Sequence, residues 1–246
     1  MYSRIKSCGL LGIDGYVAEV ETDINNGIPS FEIVGLGGAA IREARERVRS
    51  AVKNAGYEFP IRRITINLAP ANLKKEGSSF DLAIALGILA SLGILDFNGI
   101  QDSLFIGELS LDSEIKPVKG ALPVAVCARQ NGFRRLVLPA ANAHEASVVR
   151  DLEIIPVANL KETVAFLKNE ISIKPFEYSE DYMKSGRMEY DVDFADVKGQ
   201  ENVKRALEVA ASGGHNCLML GAPGCGKTML ARRLPTILPS MTFEEA

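Results

Sequence analysis

Residues 216–234, NCLMLGAPGCGKTMLARRL, decide the fold around them. They contain the phosphate-loop pattern G-x-x-x-x-G-K-[ST], matched by Gly221, Ala222, Pro223, Gly224, Cys225, Gly226, Lys227 and Thr228. The apolar run Cys217–Leu220 before the loop predicts a buried parallel strand, and Thr228–Leu234 after it predicts a helix. Strand, glycine-rich loop and helix follow one another in the order that a phosphate-binding site requires.

The loop predicts a cradle for the phosphate groups of a nucleotide. Its glycines permit backbone conformations that a Cβ forbids, so that successive amides can turn inward. The following helix adds free amides and the positive end of its dipole. Lys227 would reach the β- and γ-phosphates, and the Thr228 hydroxyl would ligate Mg²⁺. We therefore expect ATP or GTP to bind with Mg²⁺ rather than a coincidental glycine-rich turn, while the reaction stays open.

Composition indicates a globular protein of one large or two modest domains. The chain has 246 residues, 47% hydrophobic and 24% charged, with a net charge of −3. This balance shows no overall basic excess of the kind that nucleic-acid binding favours. With no long apolar run and no secretory signal, we expect a cytoplasmic protein without membrane contact. The cysteines have no metal-ligand spacing and are expected to be reduced thiols.

Strand and helix patterns alternate over residues 1–170, which predicts an α/β (α+β) fold. The predicted strands are Ile5–Leu11, Tyr16–Thr22, Ser30–Val34, Arg62–Leu68, Leu104–Leu109, Arg135–Leu138 and Leu152–Val157. The predicted helices are Ala39–Asn54, Phe80–Leu92, one ending near Gln130, Asn142–Val149 and Leu160–Lys168. An antiparallel meander is the simplest arrangement of the first three strands. Ser78 or Ser79 and Asn159 are expected helix caps.

Charged residues on the 39–54 helix mix both signs at i,i+3 and i,i+4 spacing. This pattern favours a solvated, salt-bridged face over a nucleic-acid patch. The pairs Arg62-Arg63 and Lys74-Lys75 could contact DNA phosphates, although solvated charge is the simpler interpretation.

The chain divides into two parts at a polar segment. Residues 171–192 carry both charge signs without any period and predict a linker. A second unit, 193–246, begins with Phe194–Gly199 and a helix Gln200–Ser212. After the loop it offers no second strand with an acidic residue at its end to hold Mg²⁺. We therefore expect 193–246 to be the first part of a larger ATPase domain, and the chain alone not to hydrolyse ATP.

The motifs together identify a family. They are Ile33-Val-Gly-Leu-Gly, Ile66-Asn-Leu-Ala-Pro-Ala-Asn, Lys75-Glu-Gly-Ser-Ser-Phe-Asp-Leu-Ala, Ile106-Gly-Glu-Leu-Ser, Phe194-Ala-Asp-Val-Lys-Gly-Gln, Gly213-Gly-His-Asn and Gly221–Arg233. The chain resembles the ComM/YifB-type magnesium-chelatase-like ATPases of the AAA+ class along its whole length. The resemblance implies a Lon-protease-like, ribosomal-S5-domain-2-like domain at 1–170 and the beginning of a P-loop AAA+ domain at 193–246.

The same resemblance implies the cofactors and partners. Val197, Gly199 and Gln200 would lie beside the adenine of ATP, with Mg²⁺ at Thr228. The AAA+ module would work as a homo-oligomer, a hexameric ring. Its partner would be DNA, remodelled in an ATP-driven way such as branch migration of incoming strands.

Three alternatives stay open. A Lon-type serine protease would use Ser79 as its nucleophile, but its lysine position is occupied by Leu122, with Lys116 and Lys119 out of register. Ser79 is therefore interpreted as a helix cap. A magnesium-chelatase subunit for porphyrin metallation and a non-catalytic docking or assembly module are the other two.

Four charged or titratable residues have two interpretations each. Asp81 is expected to be hydrogen-bonded near a helix N-terminus rather than catalytic. His215 could sense nucleotide or make a structural hydrogen bond. Arg232 and Arg233 could meet a neighbouring subunit or close the last helical turn.

Overall fold

The computed structural model describes residues 1–35, 39–73, 77–96, 100–178 and 191–239, with only the backbone described at 39–42. The chain forms two compact units, Met1–Ser179 and Glu180–Ala246. Of the predicted linker, residues 179–190 lie outside the described ranges, as do Lys74 and Lys75. Residues 171–178 run along the first unit, where the Phe176 amide donates to the Ile154 carbonyl at 2.8 Å.

The described part of the first unit is mixed α/β, as expected. Its strands are β1 (Tyr2–Leu11), β2 (Asp14–Asn25), β3 (Ser30–Val34), β4 (Arg63–Ala69), β5 (Ser103–Phe105), β6 (Glu108–Leu109), β7 (Ile115–Lys116), β8 (Arg135–Pro139) and β9 (Glu153–Val157). Its helices are α1 (Ala39–Asn54), α2 (Asp81–Ser91), α3 (Ala121–Gln130), α4 (Ala143–Ala146) and α5 (Leu160–Leu167), with a 3₁₀ turn at Ala140–Asn142.

The first sheet has the order β1-β2-β4-β3 in the described residues. Strands β1, β2 and β4 pair antiparallel, but β3 pairs parallel with β4. The predicted meander is therefore wrong for β3. A parallel pair needs a crossover connection, which α1 supplies between the two strands. Buried α1 side chains, among them Val48 and Val52, make that crossover favourable by removing apolar surface from water.

The predicted strand Leu104–Leu109 is also wrong, because the chain divides it between two sheets. Strand β5 joins the parallel order β5-β8-β9, whereas β6 forms a two-stranded antiparallel ribbon with β7. Between them, the Gly107 amide donates to the Ser79 carbonyl at 2.9 Å. A Cβ at Gly107 would lie 2.7 Å from Cγ2 of the buried Ile115, so glycine suits this turn.

Helix α2 lies at the centre of the first unit. Every residue from Asp81 to Ser91 is buried, which is what an almost wholly apolar helix predicts. Helix α2 packs closely on the sheet at Gly87, where a Cβ would lie 2.4 Å from Thr22 Oγ1. No helix among the described residues is long and apolar enough to cross a membrane.

The two cap predictions have different outcomes. Asn159 caps α5 as predicted, because its Oδ1 accepts from the Glu162 amide at 2.8 Å. The cap predicted at Ser78 or Ser79 is wrong, since the N-cap residue of α2 is Phe80 and no side chain caps it. Ser78 instead donates its hydroxyl to the Glu108 carboxylate.

The described residues 191–239 of the second unit contain two helices that pack around a small core. They are α6 (Glu201–Gly213) and α7 (Lys227–Arg233), accompanied by 3₁₀ turns at Phe194–Asp196 and Leu234–Ile237. The core consists of Phe194, Val197, Leu207 and Leu230.

The buried strand predicted at Cys217–Leu220 is wrong. No strand is present in the described residues 191–239, and Leu218 and Leu220 are 84% and 86% exposed. A single extended segment without a neighbouring strand has no partner for its backbone groups and nothing to cover its faces, so it cannot be buried.

Candidate nucleotide-binding loop

Residues 221–228 form a glycine-dependent turn directly before α7. Gly224 and Gly226 have φ values of +82° and +88°, in the left-handed region that favours glycine. A Cβ at Gly221 would lie 2.8 Å from Cys225 Sγ, so any larger residue there would displace the Cys225 side chain. Helix α7 begins directly after Gly226, whose carbonyl accepts from the Leu230 amide at 3.0 Å. The three glycines of the motif are thus each explained by local geometry.

Lys227 folds its side chain over this turn. Its Nζ donates to the carbonyls of Gly221 at 2.8 Å and Ala222 at 2.9 Å, and lies 3.5 Å from Cys225 Sγ. The ammonium group is therefore held at the turn by neutral acceptors. A phosphate oxygen would be a stronger partner, because its negative charge adds a Coulombic attraction to the ammonium that a neutral carbonyl lacks. Thr228, the next residue, is exposed at the start of α7.

The segment Val197–Gln200 lies beside the turn. The Gln200 side-chain amide donates to the Cys225 carbonyl at 3.4 Å. Gly199 and Gln200 both have positive φ, +68° and +59°, and together they turn the chain into α6. Val197 is 4% exposed and packs in the core with Leu230 of α7. The structure thus brings Gln200 to the turn but places the Val197 side chain beneath α7.

Arg233 holds α7 to the beginning of the unit. Its guanidinium donates to the Asp193 carbonyl at 3.0 Å and to the Met229 carbonyl at 3.3 Å, and lies 3.8 Å from the Asp196 carboxylate. The last turn of α7 is therefore closed by Arg233, as one of its two interpretations predicted. Arg232 is exposed.

His215 helps to end α6. Its amide donates to the Ala210 carbonyl at 2.9 Å. Its ring lies over Gly213, where a Cβ would meet Nε2 at 2.5 Å. This is a structural contact, and a sensing role for His215 stays a prediction.

Two family descriptions match the chain. "Subunit ChlI of Mg-chelatase" matches residues 20–142, and "Magnesium chelatase, subunit ChlI" matches residues 193–246, which include the loop. The chain belongs to the magnesium-chelatase ChlI family.

Two similar proteins match almost the whole chain, and a third matches part of it. "Competence protein ComM" of Haemophilus influenzae is 40% identical over 100% of the chain and 48% of its own length. "Uncharacterized protein YifB" of Escherichia coli is 39% identical over 99% of the chain and 47% of its own length. "Archaeal Lon protease" of Methanocaldococcus jannaschii is 31% identical over 42% of the chain and 16% of its own length. The chain spans about half the length of the ComM and YifB relatives.

The first unit of this ChlI-type chain holds a buried ion pair where the sequence suggested a catalytic acid or a helix-end hydrogen bond. Asp81, 1% exposed, accepts from Arg47 Nε at 2.7 Å and Nη2 at 3.1 Å, and from the Leu109 amide at 3.3 Å. Burial raises the pKa of Asp81 to about 6, although the Arg47 guanidinium acts in the opposite direction. Arg47 is 34 residues away in sequence, so no local signal links it to Asp81.

Ser79 has no catalytic partner in the described residues. Its hydroxyl makes no hydrogen bond there to a lysine, histidine or carboxylate, while its carbonyl accepts from Gly107. Lys116, one of the two lysines near the expected position of the base, pairs with Glu114 instead. A serine needs a base to become a nucleophile, so the geometry does not support proteolysis. In the described residues, no group of three or more His, Cys, Asp or Glu side chains forms a metal site.

Proposed function

We propose that this chain binds ATP at residues 221–228 and takes part in an ATP-driven, ring-shaped assembly that remodels DNA. The observation that carries the proposal is the Lys227 ammonium held at a turn whose glycines match the phosphate-loop pattern. The match of this part of the chain to the magnesium-chelatase ChlI description supports it.

The residues around the turn fit the nucleotide and its metal. Lys227 would exchange its two carbonyl acceptors for phosphate oxygens, and Gln200 would stay beside the turn on the adenine side. The exposed hydroxyl of Thr228 is the hard oxygen ligand that Mg²⁺ prefers. When bound, Mg²⁺ would neutralise part of the negative charge of the phosphates. Apart from its chain neighbours, no atom of the described residues lies within 4 Å of the Cβ position at Gly224, so phosphate oxygens could approach the backbone there.

The DNA part of the proposal rests on relatives. One relative that matches the whole chain is named a competence protein, and competence is the uptake of DNA. We extend this to a hexameric ring in which 193–246 begins the AAA+ module and 1–170 forms a Lon-like, ribosomal-S5-domain-2-like domain. The archaeal Lon match supports the latter assignment.

A magnesium-chelatase subunit that supports porphyrin metallation is the second candidate, because both family descriptions carry that name. The two candidates share ATP binding and differ in what ATP acts upon. Single-stranded DNA and a porphyrin, each added to the ATP-bound chain, would separate them by which one binds.

Calorimetry with a non-hydrolysable ATP analogue and Mg²⁺ tests the proposal. Lys227→Ala removes charge-assisted hydrogen bonds worth about 1.5–3 kcal/mol, so we expect affinity to fall about 10- to 150-fold. Lys204→Ala is the matched control, because it removes a lysine of the same unit that pairs with Glu201 on α6. Equal affinity in wild type and Lys227→Ala would refute the assignment of the loop. Failure of both to bind would favour a docking or assembly module.

A further inference from the structure

A groove of about 780 Å³ opens on the first unit between α1, β3 and residues 56–62. Its cationic lining consists of Arg45, Arg49, Lys53 and Arg62. Its aromatic lining consists of Phe31, Tyr57 and Phe59. Arginine and lysine interleaved with aromatic rings are the two components of a surface that binds single-stranded nucleic acid.

The cations form a row along one face of α1. Arg45, Arg49 and Lys53 follow each other at i, i+4 and i+8, where like charges repel and destabilise a helix. Within the described ranges, Arg49, Lys53 and Arg62 make no ion pair with any carboxylate. Arg49, Lys53 and Arg62 therefore leave positive charge in the groove that an anionic partner could neutralise.

The rings lie next to the cations. Phe31 and Phe59 are in contact, with centroids 5.7 Å apart and planes tilted by 45°. The Arg49 guanidinium carbon lies 5.8 Å from the Phe59 centroid. Arg45 donates to the Phe31 carbonyl at 3.3 Å. Both rings are half-buried, so each is fixed by packing while part of it faces the groove.

We propose that this groove binds single-stranded nucleic acid, with phosphates along the Arg45–Arg49–Lys53 row and bases against Phe31 and Phe59. Ring faces favour unpaired bases, because a base inside a duplex has both faces stacked already. An acidic peptide would use the cations but would gain nothing from the rings. This inference rests on the DNA part of the proposed function and deepens it by naming the strand type and its contact surface.

Two acidic residues set the strength of the interaction. Glu46 and Glu58 also line the groove, so its lining is positive by a smaller margin than the cations alone suggest. We therefore expect binding that is modest, falls steeply with salt, and depends on the rings as well as on the charges.

Fluorescence anisotropy of a labelled oligo-dT with the full 246-residue chain tests the charges. In Arg49→Gln/Lys53→Gln, we expect at least tenfold weaker binding and a salt slope that is smaller by about 0.7 for each phosphate no longer neutralised. Lys161→Gln is the matched control, because Lys161 is an exposed lysine on α5 without an ion pair in the described residues. We expect this control to bind as wild type does.

A second variant tests the rings. Phe59→Leu keeps the apolar packing and removes the stacking face, so we expect about 5- to 150-fold weaker binding with an unchanged salt slope. Circular dichroism checks that each variant is folded. Absent binding by wild type, or groove variants that bind as wild type does, would overturn the proposal. So would polyglutamate binding as tightly as oligo-dT with no effect of Phe59→Leu, which would indicate an acidic-protein site.

The outcome is independent of the phosphate loop. We expect the groove variants to bind the ATP analogue as wild type does, and Lys227→Ala to bind oligo-dT as wild type does. Failure of the loop assignment and failure of the groove assignment therefore give different results.

Discussion

Replacing Arg47 by methionine should destabilise the first unit strongly, and by an amount that depends on pH. Arg47 holds the Asp81 carboxylate, which is 1% exposed, through two hydrogen bonds between α1 and α2. Removing one partner of a buried pair costs about 3–5 kcal/mol, because the other charge is left buried without compensation. Arg47→Met can instead protonate Asp81, because the guanidinium that lowers the pKa of this carboxyl is gone. Protonation limits the cost to about 2 kcal/mol at pH 7.5, about 1.4 kcal/mol for each pH unit above 6.

The pH dependence follows from the protonation of Asp81. The pKa of Asp81 is about 6 in the folded chain and 3.8 ordinarily. Between pH 3.8 and about 6 the carboxyl is therefore protonated in the folded state and ionised in the unfolded state. Protonation of Asp81 makes its whole contribution to the free energy of unfolding below pH 3.8, and this contribution is lost as pH rises through about 6. Near pH 4.5 the carboxyl is already neutral, and Arg47→Met removes little. Above about pH 6 the wild-type carboxylate is charged, whereas Arg47→Met keeps Asp81 protonated, so the cost rises by about 1.4 kcal/mol for each pH unit until the carboxyl of the variant ionises as well.

Urea unfolding at pH 4.5 and pH 7.5, followed by circular dichroism, measures the difference. Arg49→Met is the matched control, since Arg49 is an exposed arginine of the same helix without an ion pair in the described ranges. We expect the control to lose no more than about 1 kcal/mol, and the same amount at both pH values, because Arg49 gives up only its contact with the Phe59 ring. Equal destabilisation of Arg47→Met at both pH values would refute the electrostatic argument and leave only a packing role for the arginine stem.

Two further predictions concern glycines. Gly87→Ala should cost about 1–3 kcal/mol of stability, because the new Cβ would lie 2.4 Å from Thr22 Oγ1. In a Thr22→Ala background the same change should stabilise the protein, since alanine favours a helix over glycine by about 1 kcal/mol. Urea unfolding of wild type, the two single variants and the double variant checks this reversal of sign. Gly226→Ala forces φ of +88° on a residue with a Cβ and should weaken binding of the ATP analogue at least tenfold in calorimetry. Gly132→Ala, at a φ of +74° in the first unit, is the control and should leave the affinity unchanged. Equal affinity in both variants would contradict the role of the turn.

The sequence by itself determined the features that local chemistry controls. Helix α1 has the predicted bounds Ala39–Asn54, and Asn159 caps α5 as predicted, because caps and helical periods depend on residues a few positions apart. The phosphate-loop pattern is likewise contained in eight consecutive residues, and the structure supplies a glycine-dependent turn and a lysine at the expected places.

Only the tertiary structure decided which distant residues meet. The parallel pairing of β3 with β4, the Arg47–Asp81 pair and the exposure of Cys217–Leu220 all depend on neighbours that a local pattern does not contain. The cationic groove is the clearest case, because its row lies on α1, one ring on β3, and the rest on the segment that follows α1. Charge along a helix is visible in the sequence, but whether a carboxylate neutralises it is settled by which side chains folding brings within reach.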